Sequence, residues 1–201
     1  MQLTHFGHSC LLAGFGDTTV LFDPGVFSHG FEGITGLSAI LITHQHPDHV
    51  DPEHAPALVA SNPGIRVLVE PSVAEKINAG DLPGMGDAVE AMRPGDQEAI
   101  GDLLISAVGG QHAVIHRDIP RIGNVGYLVQ SEGQPTLFHP GDALDTVPSG
   151  VDILAVPAYG PWAAMKETVD FVRAVGALEG FPIHDGLLNE RGLTLVLNRV
   201  N

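Results

Sequence analysis

The sequence holds one cysteine, Cys10, in 201 residues. An internal disulfide and a thiolate metal cluster are therefore both excluded. Positive charge is also scarce: 9 Lys plus Arg stand against 24 Asp plus Glu, a formal net charge of −15. A field of that sign repels a phosphate backbone and argues against nucleic-acid binding. It still admits a small anionic substrate, because bound cations reverse the sign locally. Long apolar runs are missing as well. The longest are strand-sized and broken by Gly, Pro or His, and none approaches the roughly 18 residues of a membrane span. The opening MQLTHFGHSC lacks a basic stretch followed by an apolar one, so no secretion signal is expected. A cytoplasmic location is the default that follows. No phosphate-binding glycine loop of the GxxxxGKS type occurs, so no nucleotide cofactor is implied.

What is present suits one folded domain over residues 1–201, with 44% apolar and 16% charged residues. QLTHFG, SCLLAGF and TTVLFDP read as three short strands joined by turns, an antiparallel meander. Residues 25–38 are Gly-rich and aperiodic, hence loop. AILI (39–42) is an apolar strand that stops at Thr43. A helix is predicted over 53–61, capped by Asp48 or Asp51 with Pro52 at its first position and Gly64 beyond its end. IRVLV (65–69) is a strand, and Pro71–Ser72 open a helix that Gly80 stops. Residues 81–101 are turn-rich with short β pieces. DLLISAV (102–108) is a strand, and 124–130 with 135–138 form a hairpin. VDILAV (151–156) is a buried run. Trp162, Met165, Val169, Val172 and Val175 share one side of a helix over 162–175. ALEGFPIH and LTLVLN close the chain as strands. The β-rich opening argues against a doubly wound sheet, which needs regular strand–helix alternation.

Eleven histidines occur, and their placement matters more than their number. HQHPDH, residues 44–49, sets four potential ligands directly after the strand AILI. His44 and His46 can serve one metal ion, and Asp48 and His49 a second beside it. Zinc takes about four ligands, so distant residues must complete both sites. His112, Asp142 and His184 each follow a predicted strand. The expected division is His44, His46 and His112 on the first metal, and Asp48, His49 and His184 on the second, with Asp142 bridging. His116, in GGQHAVIH, is the rival of His112. Without metal, such a cluster repels itself once its histidines protonate.

This pattern resembles the metallo-β-lactamase fold superfamily, whose HxHxDH motif HQHPDH matches residue by residue. HPGD, ending at Asp142, resembles its Gly-Asp signature. THFGHSC (4–10) resembles small prokaryotic metal-dependent hydrolases that include the ascorbate-6-phosphate lactonases. The resemblance implies an α/β fold, a four-layer αββα sandwich with two Zn²⁺ ions at one edge of the sheets; manganese or iron fits the same donors. It also implies hydrolysis of a small ester-like substrate (lactone, thioester, amide or phosphoester) by a hydroxide on the dinuclear centre. The chain is too short for the inserted domain of the RNA-processing members. His46 stands where the flavin-linked di-iron branch leads one to expect an acid.

Catalytic roles are expected of Asp48, which would orient the hydroxide, and of His8 or His116 at the leaving group. Asp23, ending LFDPG, is a candidate hydrogen-bond acceptor for a ligand histidine. His139 would hold Asp142 or a ligand histidine, or cap its loop. Asp185 reads equally as a supporting carboxylate or a solvated residue. His29 and His54 read as surface residues, Cys10 as core, and Phe27, Tyr159 and Trp162 as core, lid or pocket wall. The expected partner is a small molecule, with no nucleic acid or membrane, and an exposed sheet edge would support a homo-oligomer. An iron oxidoreductase and a non-catalytic metal-binding protein are the rival functions.

Overall fold

The computed structural model of the protein describes residues 1–82 and 84–200. The opening meander is β1 (Gln2–His5), β2 (Leu11–Phe15) and β3 (Thr18–Phe22), paired antiparallel. Three strands then join in parallel: β4 (Ala39–Ile42), β5 (Arg66–Val69) and β6 (Val89–Ala91). The second sheet repeats this scheme from its own edge. Its strands β7 (Gln97–Ile100), β8 (Leu103–Gly109), β9 (Val125–Gln130) and β10 (Leu137–His139) pair antiparallel. Then β11 (Ile153–Pro157) and β12 (Glu179–Ile183) add in parallel. The helices are α1 (Ala55–Ala60), α2 (Pro71–Ala79), α3 (Met165–Val175) and α4 (Glu190–Val200).

The two-residue period of the strands builds the layers. Val20 and Phe22 of β3, with Ala39 and Leu41 of β4, point into the core between the sheets. There they meet Ile105, Val125, Tyr127 and Val129 from the second sheet. Their neighbours Leu21, Ile40 and Ile42 face outward and are covered by Leu58 of α1 and Val73 of α2. Phe171 of α3 covers Leu128, Phe138, Leu154 and Val156 on the other outer face. The architecture is the expected αββα sandwich. Tyr127 ties its sheets together: its buried hydroxyl lies 3.1 Å from the Ile42 carbonyl oxygen and 3.0 Å from that of Leu68.

Three expectations are corrected. LTLVLN is part of α4, not a strand. Leu193, Val196, Leu197 and Val200 have the i, i+3, i+4, i+7 spacing of a helix face, which the local alternation of LTLVL obscures. Only Val196 of this helix is buried. The first helix starts at Ala55, with Pro56 rather than Pro52 in its first turn, and ends at Ala60. Asp51 shapes the preceding turn by accepting from Glu53 N and His54 N. The third helix starts at Met165 and buries Thr168 and Phe171, so Trp162 belongs to the loop before it.

Candidate metal centre

The residues of the site come from strand ends. β3 ends at Phe22 and delivers Asp23; β4 ends at Ile42 and delivers Thr43 and the loop 44–49. His112 follows β8, Asp142 follows β10, and His184 follows β12. In parallel strands the carboxyl ends point one way, so their loops collect at a single edge. Val125 N donates to Thr43 O, which stitches the two sheets together at that edge.

There the side chains form two adjoining groups. His44, His46, His112 and Asp142 offer ligand atoms within 4.8 Å of one another, as do His8, Asp48, His49 and His184. Asp142 touches both. Its Oδ2 lies 3.3 Å from His112 Nε2, 3.8 Å from His44 Nε2 and 3.1 Å from His184 Nε2, and its Oδ1 lies 3.2 Å from His49 Nε2. Asp48 Oδ2 lies 3.6 Å from His184 Nε2. His44, His49, His112, Asp142 and His184 are buried, while Asp48 and His46 are partly open.

Hydrogen bonds on the far side of each ring decide which nitrogen faces inward. His49 Nδ1 donates to Asp23 Oδ2 at 2.7 Å. His112 Nδ1 donates to Ala113 O at 2.7 Å, and His184 Nδ1 to Tyr159 O at 2.5 Å. Thr43 Oγ1 donates to Asp23 Oδ2 at 2.7 Å, so its lone pair receives His44 Nδ1 at 3.1 Å. All four rings therefore turn Nε2, the nitrogen that ligates when the ring is neutral, toward Asp142. His46 presents Nδ1 instead, 2.9 Å from His44 Nε2. His8 has the opposite tautomer. Its Nδ1 accepts from Gly186 N at 3.1 Å, which puts the proton on Nε2, 3.0 Å from Asp48 Oδ2. Thus His8 donates to Asp48 and has no lone pair to offer a cation there.

The titration behaviour follows from burial and charge. Burial alone pushes His49 and His184 down; the Asp142 carboxylate outweighs it in both, aided by Asp23 at His49, and both are raised. Burial lowers His44 well below the usual histidine range, with the neighbouring His49 adding to it. Burial also lowers His8 and His46. For Asp142 the burial penalty is overcome by His49 and His184, and its carboxyl lies well below the ordinary value. For Asp48 it is overcome by the His8 hydrogen bond and the charge of His49, which hold it at about 2. The Asp142 carboxylate thus favours protons on His49 and His184 where it would otherwise face a cation.

The backbone is forced at this edge. Among the described residues, the non-glycine ones with positive φ are His8 (50°), Asp23 (40°) and His184 (56°), all three in the centre or touching it. Such conformations cost on the order of 1 kcal/mol each and persist where the surroundings dictate them. Gly25 is needed for close approach: a Cβ there would overlap the Asp48 carbonyl. This lets the loop after Asp23 lie against HQHPDH, where Val26 N donates to Pro47 O at 2.9 Å.

The structure brings His44, His46, Asp48, His49, His112, Asp142 and His184 together, with His8 alongside. It does not bring in His116, which is exposed, receives Asp118 N at 3.2 Å and lies 3.5 Å from the Asp118 carboxylate. Asp23 accepts from a candidate ligand histidine, as expected of it. His139 stacks on Phe22 and bonds Ser9 O at 3.0 Å, while Gly141 N donates to its other nitrogen, so it fixes the turn before Asp142. Asp185 accepts from the His8 backbone N–H at 3.0 Å. His29 is exposed, His54 pairs with Asp51 at 2.7 Å, and Cys10 is core. Trp162 packs edge-on against His112 and His184, at 5.7 and 5.6 Å. Two supporting residues were missed. Asn124 accepts from Asp142 N at 3.0 Å and donates to Pro140 O at 2.9 Å, and Thr43 links Asp23 to His44. Neither position stands out in a single sequence.

The donor set suits divalent cations. Nitrogen and oxygen ligands converge, and the inward atoms His49 Nε2, His112 Nε2 and Asp142 Oδ1 are buried without a hydrogen-bond partner. Such atoms are costly unless something binds them. Known proteins resemble this chain in sequence and in fold. A Mycobacterium tuberculosis protein, Rv0786c, is 51% identical over 189 residues, 94% of this chain and 85% of its own length. A UPF0173 metal-dependent hydrolase of Azorhizobium caulinodans is 32% identical over 152 residues, 71% of this chain and 63% of its own length. Among solved structures, a candidate metal-dependent hydrolase from Parabacteroides distasonis shares the fold at TM-score 0.76 and 22% identity, covering 97% of this chain and 87% of its own. CmlA, a diiron β-hydroxylase from Streptomyces venezuelae, does so at TM-score 0.71 and 18% identity, covering 98% of this chain and 49% of its own. A family model described as the beta-lactamase superfamily domain matches residues 2–184, and the chain belongs to that superfamily.

Proposed function

We propose that this metal-dependent hydrolase uses two divalent cations to cleave a small ester-like substrate, and that residues 1–201 act as one hydrolase domain. The observation that carries the reading is Asp142, a buried carboxylate 3.1–3.8 Å from inward nitrogens of both histidine groups. His44, His46 and His112 would hold one cation, Asp48, His49 and His184 the other, and Asp142 both. Such a pair supplies an acidified water and a Lewis acid for the substrate oxygen. Asp48, partly open beside this group, would accept a hydrogen bond from that water. His8 keeps Asp48 in place through its Nε2–H, 3.0 Å away, and acts as a positioning residue. Asp23 and Thr43 keep His49 and His44 turned inward. Two zinc ions are the proposed pair for this nitrogen-rich set. The substrate class is a lactone, thioester, amide or phosphoester, met as a small molecule in the cytoplasm. No helix among the described residues is long and apolar enough to cross a membrane.

The test is His46→Ala in purified protein. Metal content and hydrolysis of a lactone and thioester panel should fall together. Full activity in metal-free protein would end this reading. A second reading is an iron-dependent oxidoreductase, favoured by the shared fold with the diiron protein CmlA. Purified protein carrying iron, with oxygen consumed during turnover, would establish that alternative.

A further inference from the structure

The walls around the centre are apolar and short of free positive charge. Among the described residues, eleven large hydrophobic side chains are exposed, and six of them lie on three segments that touch the site: Val26, Phe27, Val114, Ile115, Ile119 and Tyr159. Single exposed apolar residues need no explanation, but a cluster beside a polar centre marks a binding surface. The Phe27 ring meets His8 edge-on at 5.2 Å. Tyr159 accepts from His184 through its carbonyl. Ala113, just before Val114, donates its N–H to Asp142 O at 2.7 Å. Ile115, Ile119 and Ile122 line a cavity of about 90 Å³ whose remaining wall includes His46, His112 and the engaged Arg121.

The cations that would recognise a phosphate or carboxylate are absent from these segments or already engaged. Residues 24–30 and 158–164 contain no Lys or Arg, and 110–124 contains Arg117 and Arg121. The Arg121 guanidinium is bound to His112 O, to Gln111 Oε1 at 2.9 Å and to Asp145 at 2.8 Å. Arg117 projects into solvent at 88% side-chain exposure, 3.7 Å from Asp118. An anionic tail laid along this wall would lose water and could gain a cation only by drawing Arg121 from Asp145 or Arg117 out of solvent.

We infer that the substrate carries an uncharged alkyl chain that lies along the 110–124 wall, so that the enzyme acts on an alkyl ester, lactone or thioester and not on a phosphorylated one. This rests on the hydrolase reading for the reacting end and adds the recognition of the other end. Ile115 and Ile119 would be the specificity-determining contacts.

The test uses Trp162, the single tryptophan, whose ring packs on His112 and His184. Zinc-loaded full-length protein is titrated with n-alkyl hydroxamates of two to six carbons, following Trp162 fluorescence. Hydrolysis of lactones with matching side chains is measured in parallel. Each methylene should tighten binding about twofold to fourfold, the upper figure being the limit of full burial. A hydroxamate ending in a phosphate should bind less tightly than its methyl-ended counterpart. The double variant Ile115→Asp, Ile119→Asp should flatten the chain-length dependence. Leu178→Ser, at an exposed site at the far end of β12, should leave it unchanged. Affinity independent of chain length, or tighter binding of the phosphate-ended compound, would overturn the inference while leaving a hydrolase intact. Chain-length dependence without turnover of any alkyl ester, lactone or thioester would uphold the alkyl-binding wall and count against the hydrolase reading.

Discussion

Replacing Asp23 by Asn tests whether the ring orientations are enforced from outside the centre. Asp23 is fully buried. Its Oδ2 accepts from His49 Nδ1 at 2.7 Å and from Thr43 Oγ1 at 2.7 Å, and its Oδ1 accepts from Thr43 N at 2.8 Å. An amide has one acceptor oxygen and one NH₂. With its oxygen at the Oδ2 position, the NH₂ faces the Thr43 N–H. With its oxygen at the Oδ1 position, the NH₂ faces His49 Nδ1–H, and the imidazole relieves this by moving its proton to Nε2, where a cation must bind. Either arrangement sets two buried donors against each other, a cost of about 1–3 kcal/mol. Loss of such an outer partner lowers metal affinity roughly 10- to 100-fold, equivalent to about 1.4–2.8 kcal/mol. Because His49 belongs to only one of the groups, the loss should be uneven. At limiting zinc, a competing chromophoric chelator should show two equivalents bound by the native protein and one tight plus one weakened equivalent by Asp23→Asn. Two equivalents at native affinity in the variant would refute the orientation argument.

Four further outcomes are expected. His8→Gln should keep both metals bound and retain more activity than His8→Ala, since Gln can still donate to Asp48; loss of one metal from His8→Gln would make His8 a ligand after all. Metal binding should release protons, because His49 and His184 are raised in the metal-free protein and must be neutral to ligate, so affinity falls as pH falls. Calorimetry in buffers of different ionisation enthalpy measures this, and a buffer-independent heat would contradict it. The same raised value makes the His49 contribution to metal-free stability complete below about pH 6.5 and lost as pH rises through the folded value; thermal melts of the metal-free protein should show this, and bound zinc should remove it. Tyr127→Phe should cost about 1 kcal/mol by removing the hydroxyl that joins β9 to the carbonyls of Ile42 and Leu68; an unchanged denaturant midpoint would show that the bridge contributes nothing.

Much of the fold was legible because strands announce themselves by period and by turn residues. AILI coincides with β4, and Pro71 to Gly80 marks α2 with its left-handed end at Gly80. The terminal helix was not legible, because LTLVL satisfies both periods and only its packing against α3 selects one. HQHPDH was legible because four donors in six residues have little other use. The distant partners, His112 among them, were legible as strand-end residues, and His116 remained a rival because both histidines lie in the same loop after β8. Burial separates them: His112 is closed in behind Trp162, and His116 points to water. The tautomer of His8 depends on Gly186 N and Asp48, 178 and 40 residues away in sequence, so no local pattern could reveal it.

Anomalous diffraction from crystals grown with zinc tests the central claim most directly. Two peaks are predicted, one among His44, His46, His112 and Asp142, the other among Asp48, His49, His184 and Asp142, with His8 outside both coordination shells. A single peak, or a cation bound away from Asp142, would contradict the account.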